Sequence, residues 1–95
     1  MSNTVSVSIE TLEPEPYEVL RPLRAVIRPQ AGEWIASFRA ANLHASGSTQ
    51  EEALANLKDT IVAAFEILGG HAPDRLGRGL ARQLEALKRF IRRRP

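Results

Sequence analysis

Residues 34–61, WIASFRAANLHASGSTQEEALANLKDTI, carry a strand, a turn and a capped helix in immediate succession. Ser48 and Thr49 each offer a hydroxyl to the free N–H groups of a helical first turn. Glu51 and Glu52 follow three residues after them, which makes two overlapping capping boxes. Downstream, Leu54, Leu57, Ile61, Phe65 and Leu68 recur at steps of three and four, while Lys58, Asp59 and Glu66 fall elsewhere around the wheel, as in an amphipathic helix. Gly69 and Gly70 end the pattern. Burying each large apolar side chain contributes about 1.5–3 kcal/mol, but ordering the backbone costs about 1–2 kcal/mol per residue, so this helix needs a partner surface.

The preceding residues supply one. Val5, Val7 and Ile9 alternate with Ser6 and Ser8, and Leu23, Ala25 and Ile27 alternate with Arg24 and Arg28, interrupted only by Val26. Both runs suit strands with one buried face. Trp34, Ala36 and Phe38 continue the scheme, and Gln30, Ala31 and Gly32, after Pro29, have the length and glycine content of a hairpin loop. A fourth short strand over residues 43–46 leads into the capped helix. The pattern is α+β: a small antiparallel sheet of three to four strands packed by one capped helix, plus a C-terminal basic amphipathic helix.

Ninety-five residues suffice for one domain, residues 1–95, with a core over about 4–69 and a modest interior to which oligomerisation would add burial. The chain has no cysteine, which excludes disulfides and thiolate metal sites and fits a reducing compartment. No apolar run approaches the ~18 residues of a membrane span, and residues 1–8 lack the basic start and apolar stretch of a secretory signal. The expectation is a soluble cytoplasmic protein with no membrane partner.

Charge is unevenly distributed. Within a net charge of +2, the first twenty residues hold Glu10, Glu13, Glu15 and Glu18 without Lys or Arg, whereas residues 69–95 hold eight basic residues against Asp74 and Glu85. Residues 13–16, Glu-Pro-Glu-Pro, suit an extended, polyproline-like connector, because each proline restricts the residue before it and donates no hydrogen bond.

The second helix is expected over about residues 79–93. Leu80, Leu84, Leu87 and Ile91 form its apolar stripe with Phe90 at the edge, and Arg78, Arg82, Lys88, Arg89 and Arg92 surround it. The loose connector over residues 69–79 favours packing of that stripe on a neighbouring copy, so Trp34, Leu80, Leu84, Leu87, Phe90 and Ile91 are the candidate interface residues. The basic end has three readings: a solvated face favoured by the helix macrodipole, a protein contact, or a salt-sensitive nucleic-acid contact through Arg82, Lys88, Arg89, Arg92, Arg93 and Arg94.

Catalytic patterns are thin. His44 and His71 are the only histidines and have no ligand-spaced companions. Strand alternation puts His44 and Ser46 on one face, but no orienting acid accompanies them. Capping accounts for Ser48 and Thr49, and Glu51 and Glu52, as adjacent helical residues, point about 100° apart. No catalytic, cofactor-binding or metal-binding residue is assigned.

Together, the strand Glu33-Trp34-Ile35-Ala36, the turn Ser46-Gly47-Ser48-Thr49 and the helix Glu51-Glu52-Ala53-Leu54-Ala55-Asn56-Leu57 resemble the HicB-like antitoxin family across roughly residues 23–68. The resemblance implies a small sheet packed on a helix, usually in a dimer or larger assembly, that in full antitoxins binds and blocks a small toxin cleaving messenger RNA. Residues 38–43 lack the prolines and acid frequent in the family, and Ser48 stands where aspartate is frequent. Full antitoxins also append a DNA-binding domain, whereas one basic helix follows here, so the chain resembles a short single-domain form. The expected function is a non-enzymatic, homo-oligomeric protein-interaction module that binds a small RNA-cleaving toxin. The alternative is a nucleic-acid-binding accessory protein that uses the basic helix.

Overall fold

The computed structural model describes residues 4–12, 16–71 and 73–94; residues 13–15 of the proline-rich connector lie outside them. In chain order the elements are β1 (Val5–Ile9), β2 (Tyr17–Val19), β3 (Leu23–Gln30), β4 (Glu33–Phe38), β5 (Leu43–Gly47), α1 (Gln50–Gly69), α2 (Arg78–Lys88) and β6 (Ile91–Arg93). Short 3-10 turns at Arg39–Ala41 and Pro73–Arg75 precede β5 and α2.

The alternation seen in the sequence sets the sheet. β1, β3, β4 and β5 form a four-stranded antiparallel sheet in the order β1-β3-β4-β5. Ile9, Leu23, Ala25, Ile27, Ala36, Phe38 and Leu43 are buried beneath the helices. Period-two alternation sends Ser6, Arg24, Val26, Arg28, Ile35, His44 and Ser46 to the opposite face. β3 and β4 join through two residues rather than the expected three, since Gln30 already pairs with Glu33. Ala31 (φ 51°) and Gly32 (φ 82°) both occupy the left-handed region, which matches the twist of a tight hairpin.

At the start of α1 the Thr49–Glu52 member of the two expected capping boxes forms, with its return hydrogen bond shifted by one residue to Ser48. Thr49 is the N-cap, and its Oγ1 accepts from the Glu52 N–H at 3.0 Å. The Glu52 carboxylate then reaches past Thr49 to accept from the Ser48 N–H (3.1 Å) and hydroxyl (3.2 Å). Glu51 remains exposed in the first turn, where a negative charge suits the helix dipole. Gly47 is fixed by space: a Cβ there would lie 2.5 Å from the Ala53 backbone nitrogen and 2.8 Å from the Glu52 carbonyl carbon. The sheet can therefore hand the chain to the helix at close range only through a residue without a side chain. One turn further on, the Asn56 Nδ2 donates to the Ser46 carbonyl of edge strand β5 at 2.8 Å. Ala53, Leu57, Ile61, Val62 and Leu68 form the buried side of α1, with Leu54 and Phe65 packed partly against them. Gly70 closes the helix in a right-handed conformation (φ −82°), donating its N–H to the Glu66 carbonyl, so the glycines end it without a left-handed cap.

The C-terminal part corrects the expectation of one helix over residues 79–93. α2 stops at Lys88, and the Arg89 and Phe90 N–H groups bond back to the Ala86 and Leu87 carbonyls in a tight turn. Residues 91–93 then extend as β6, antiparallel to β2, with Glu18 opposite Arg92. Pairing answers a requirement of β2, whose backbone groups have no partner in the main sheet. The Leu20 N–H donates to the Phe90 carbonyl (2.6 Å) and the Arg94 N–H to the Pro16 carbonyl (2.9 Å), extending the ribbon at both ends. The turn also inserts Ile91 into the core and sets Phe90 edge-to-face on Phe38, with centroids 5.1 Å apart. On the other strand Tyr17 is buried edge-to-face on Phe65 (5.4 Å), and its hydroxyl donates to Glu66 Oε1 at 2.9 Å.

Candidate functional site

The apolar stripe of α2 is used inside the chain. Leu84, Leu87 and Ile91 are buried in its own core, so their placement on a neighbouring copy is corrected. α2 packs on α1 and on the 3-10 turn, where the Gln83 Nε2 donates to the Ala41 carbonyl at 2.7 Å. Phe90 and Trp34 are half-buried against the core, and Leu80 is 49% exposed. Of the six candidate interface residues, those three retain accessible surface.

The six basic candidates divide in two. Arg92, Arg93 and Arg94 belong to the β6 segment, and the Arg92 Nε lies 2.7 Å from Glu18 Oε2. Arg82 and Arg89 instead lie on α2 and its cap, facing the 3-10 turn that carries Arg39, while Lys88 is exposed. Three shallow clefts open around that turn. Arg24 and Arg39 line one of about 360 Å³, Arg39 and Arg82 the next of about 470 Å³, and Arg82 and Arg89 a third of about 570 Å³. Ala40 borders all three. Arg21 stands over the Phe90 ring, 5.9 Å from its centroid, beside the first cleft. Arg24 and Arg39 were absent from the sequence candidates. The polar face of β3 was a signal for Arg24, but nothing local tied either residue to α2.

The opposite charge gathers on α1. Glu51, Ala55, Asp59, Ala63 and Ile67 recur every fourth residue and are all exposed, so they form one outer ridge that winds about 160° around the helix from end to end. Glu52 and Glu66 flank it, Lys58 is the one cation of the helix, and Ile67, 63% exposed, puts an apolar spot near its end. Among the described residues the one ion pair within 4.0 Å is Arg92–Glu18, so the acidic ridge and the basic clefts do not neutralise each other.

His44 does not pair with Ser46. Its Nδ1 lies 2.9 Å from Ser37 Oγ and its Nε2 3.2 Å from Asn42 Oδ1. With an amide oxygen as partner, Nε2 carries the proton and Nδ1 accepts from the Ser37 hydroxyl. Asn42 reaches this position from a left-handed backbone (φ 53°) that asparagine tolerates. Ser37 and His44 are directly opposed across β4 and β5, and Ser37 is 5% exposed, so the contact is a cross-strand clamp on register. Among the described residues no group of three or more His, Cys, Asp or Glu is placed to hold a metal ion, and no helix is long and apolar enough to cross a membrane.

In comparisons with protein-family models, curated proteins and solved structures, nothing matches this chain. The functional reading therefore rests on its own surfaces.

Proposed function

We propose that the chain is a non-enzymatic protein-interaction module of the HicB-like antitoxin type, acting in the cytoplasm, whose partner is a small basic protein such as an RNA-cleaving toxin. The observation that carries this reading is the outer ridge of α1, where Glu51, Asp59 and the flanking Glu52 and Glu66 surround small residues and end at exposed Ile67. The small side chains of Ala55 and Ala63 let a partner approach the helix backbone closely along this winding row. The carboxylates raise the encounter rate with a cationic surface and fix its register, while the apolar spot supplies area that gains from burial. A sheet packed on one capped helix also agrees with the arrangement the family resemblance implies. Homo-oligomerisation belongs to the same reading, with Trp34, Leu80 and the uncovered sheet face around Val26 and Ile35 as its surface.

The test is co-expression with the products of adjacent reading frames, followed by sedimentation of the purified complexes. The expected result is a stoichiometric complex with a small basic protein that Glu51→Lys combined with Asp59→Lys weakens at least tenfold. A complex unaffected by that double reversal would remove α1 as the docking ridge. The absence of a complex with any neighbouring product would remove the antitoxin-type reading.

A further inference from the structure

The clefts around the 3-10 turn form a series joined by shared arginines: Arg39 lines the first and second, and Arg82 the second and third. Arg24 and Arg89 stand at the two ends. We propose that this series is a binding track for the phosphate backbone of a nucleic acid, with Arg24, Arg39, Arg82 and Arg89 each engaging a phosphate.

Four observations support it. The track is assembled from three separate parts of the chain, β3, the 3-10 turn and α2 with its cap, so a run of charge on one helix face does not account for it. Helix-dipole compensation explains neither Arg24 nor Arg39, which lie outside helix C-termini, nor Arg82 in the middle of α2. Glu85 is the one carboxylate lining the clefts, and among the described residues none of the four arginines has a carboxylate within 4.0 Å. Like charges held together in this way repel one another and persist at no gain to the fold, whereas a polyanion would relieve them. Finally, all four positions are arginine, whose planar fork meets two phosphate oxygens at once, where lysine offers a point charge.

The arrangement is anchored at its centre. The Gln83–Ala41 hydrogen bond ties α2 to the 3-10 turn, so the backbone segments that carry Arg39 and Arg82 are held together before a ligand arrives. A continuous series of clefts, running from the outer sheet face past the 3-10 turn to α2, suits a chain of regularly repeated phosphates. Contacts to phosphate carry no base information, so the predicted binding is sequence-tolerant and steeply salt-dependent. Four neutralised phosphates give a slope of log K against log salt of about −2.8 for a single strand and about −3.6 for a duplex, a loss of about 50- to 150-fold between 50 and 200 mM salt. The track is formed by different residues from the acidic ridge of α1, and binding at one surface survives loss of the other.

Fluorescence anisotropy with a labelled 20-nucleotide single-stranded RNA and with a 20-base-pair DNA duplex tests the proposal, the two affinities at one salt concentration showing which form the track prefers. The expected result is binding at 50 mM salt to at least one probe, weakened at least tenfold by Arg39→Ala combined with Arg82→Ala. That variant should lower the magnitude of the slope by about 1.4 on single strands or about 1.8 on duplex. Arg75→Ala, in the exposed 3-10 turn before α2 and outside the clefts, serves as the control and should leave affinity within twofold. Because these side chains are exposed, unchanged circular dichroism should accompany both substitutions. No binding at 50 mM salt, an unchanged slope in the double variant, or tighter binding of poly-glutamate than of either nucleic acid would overturn the assignment.

Discussion

Replacing Gly47 by alanine is the sharpest test of how the sheet and α1 meet. The added methyl would sit 2.5 Å from the Ala53 nitrogen, 2.8 Å from the Glu52 carbonyl carbon and 2.9 Å from the Glu52 Cβ. Favourable contact between such atoms begins near ~3.5 Å, so the first turn of α1 must retreat by roughly 1 Å. Two of the three obstructing atoms are backbone, and no change of rotamer relieves the clash. A retreat would loosen Ala53 and Leu57, both fully buried, and stretch the hydrogen bonds between Ser48 and Glu52. Overpacking of this kind costs about 1–3 kcal/mol, and weakening the cap adds up to ~1 kcal/mol. Taking about 3 kcal/mol, the melting temperature of a domain this small falls by roughly 12–24 °C. Thermal and urea unfolding followed by circular dichroism would measure the change. Gly69→Ala is the internal control, because its Cβ meets nothing within 4 Å and it lies in α1, where alanine is favoured by about 0.5–1 kcal/mol. If Gly47→Ala melts within about 2 °C of the parent protein, the close approach of α1 to β5 is not what the glycine serves.

Three further substitutions probe other parts. Ala31→Asn should raise the urea midpoint by an amount equivalent to about 0.5–1 kcal/mol, because Ala31 holds a left-handed conformation (φ 51°) that asparagine adopts more readily; a lower midpoint would contradict this. Gln83→Leu removes the donor to the Ala41 carbonyl and should cost about 1–2 kcal/mol, with faster amide exchange in α2 than in β3; uniform exchange across both would argue against local anchoring. Glu18→Gln should change stability by less than about 0.5 kcal/mol, since its ion pair with Arg92 is largely solvent-exposed, and a loss above ~1 kcal/mol would assign the β2–β6 ribbon a stronger electrostatic role.

The parts of the fold legible in the sequence were those with a local period or a local cap. Leu23, Ala25 and Ile27 alternate with Arg24 and Arg28, Val26 excepted, along one strand, and Thr49 and Glu52 lie within one helical turn, so each signal sits inside the element it defines. β2 and β6 offered no such signal. Tyr17–Val19 is short, and its partner lies 74 residues downstream, where Ile91 continues the spacing of the α2 stripe closely enough to read as helix. The same stripe matched burial against α1 as well as burial against a second copy, because periodicity identifies an apolar face without identifying what covers it. The arginine track was hidden for a related reason. Arg24, Arg39 and Arg82 become neighbours only after the chain has turned through residues 39–41 and α2 has folded back upon it.

The β2–β6 ribbon has a consequence for how the molecule is made. During synthesis Tyr17–Val19 emerges early and must wait for Ile91–Arg93, whereas β3 and β4 can zip up at once across a two-residue loop. Closing so long a loop is entropically late, and it becomes favourable once the rest of the sheet and both helices have shortened the effective separation. Until then Tyr17 and Ile91 remain uncovered, and a nascent or clipped chain lacking Ile91–Arg93 would expose an unpaired strand beside an open seam in the core. Such a species would be an early substrate for proteolysis, which makes the ribbon the seam whose closure seals this core.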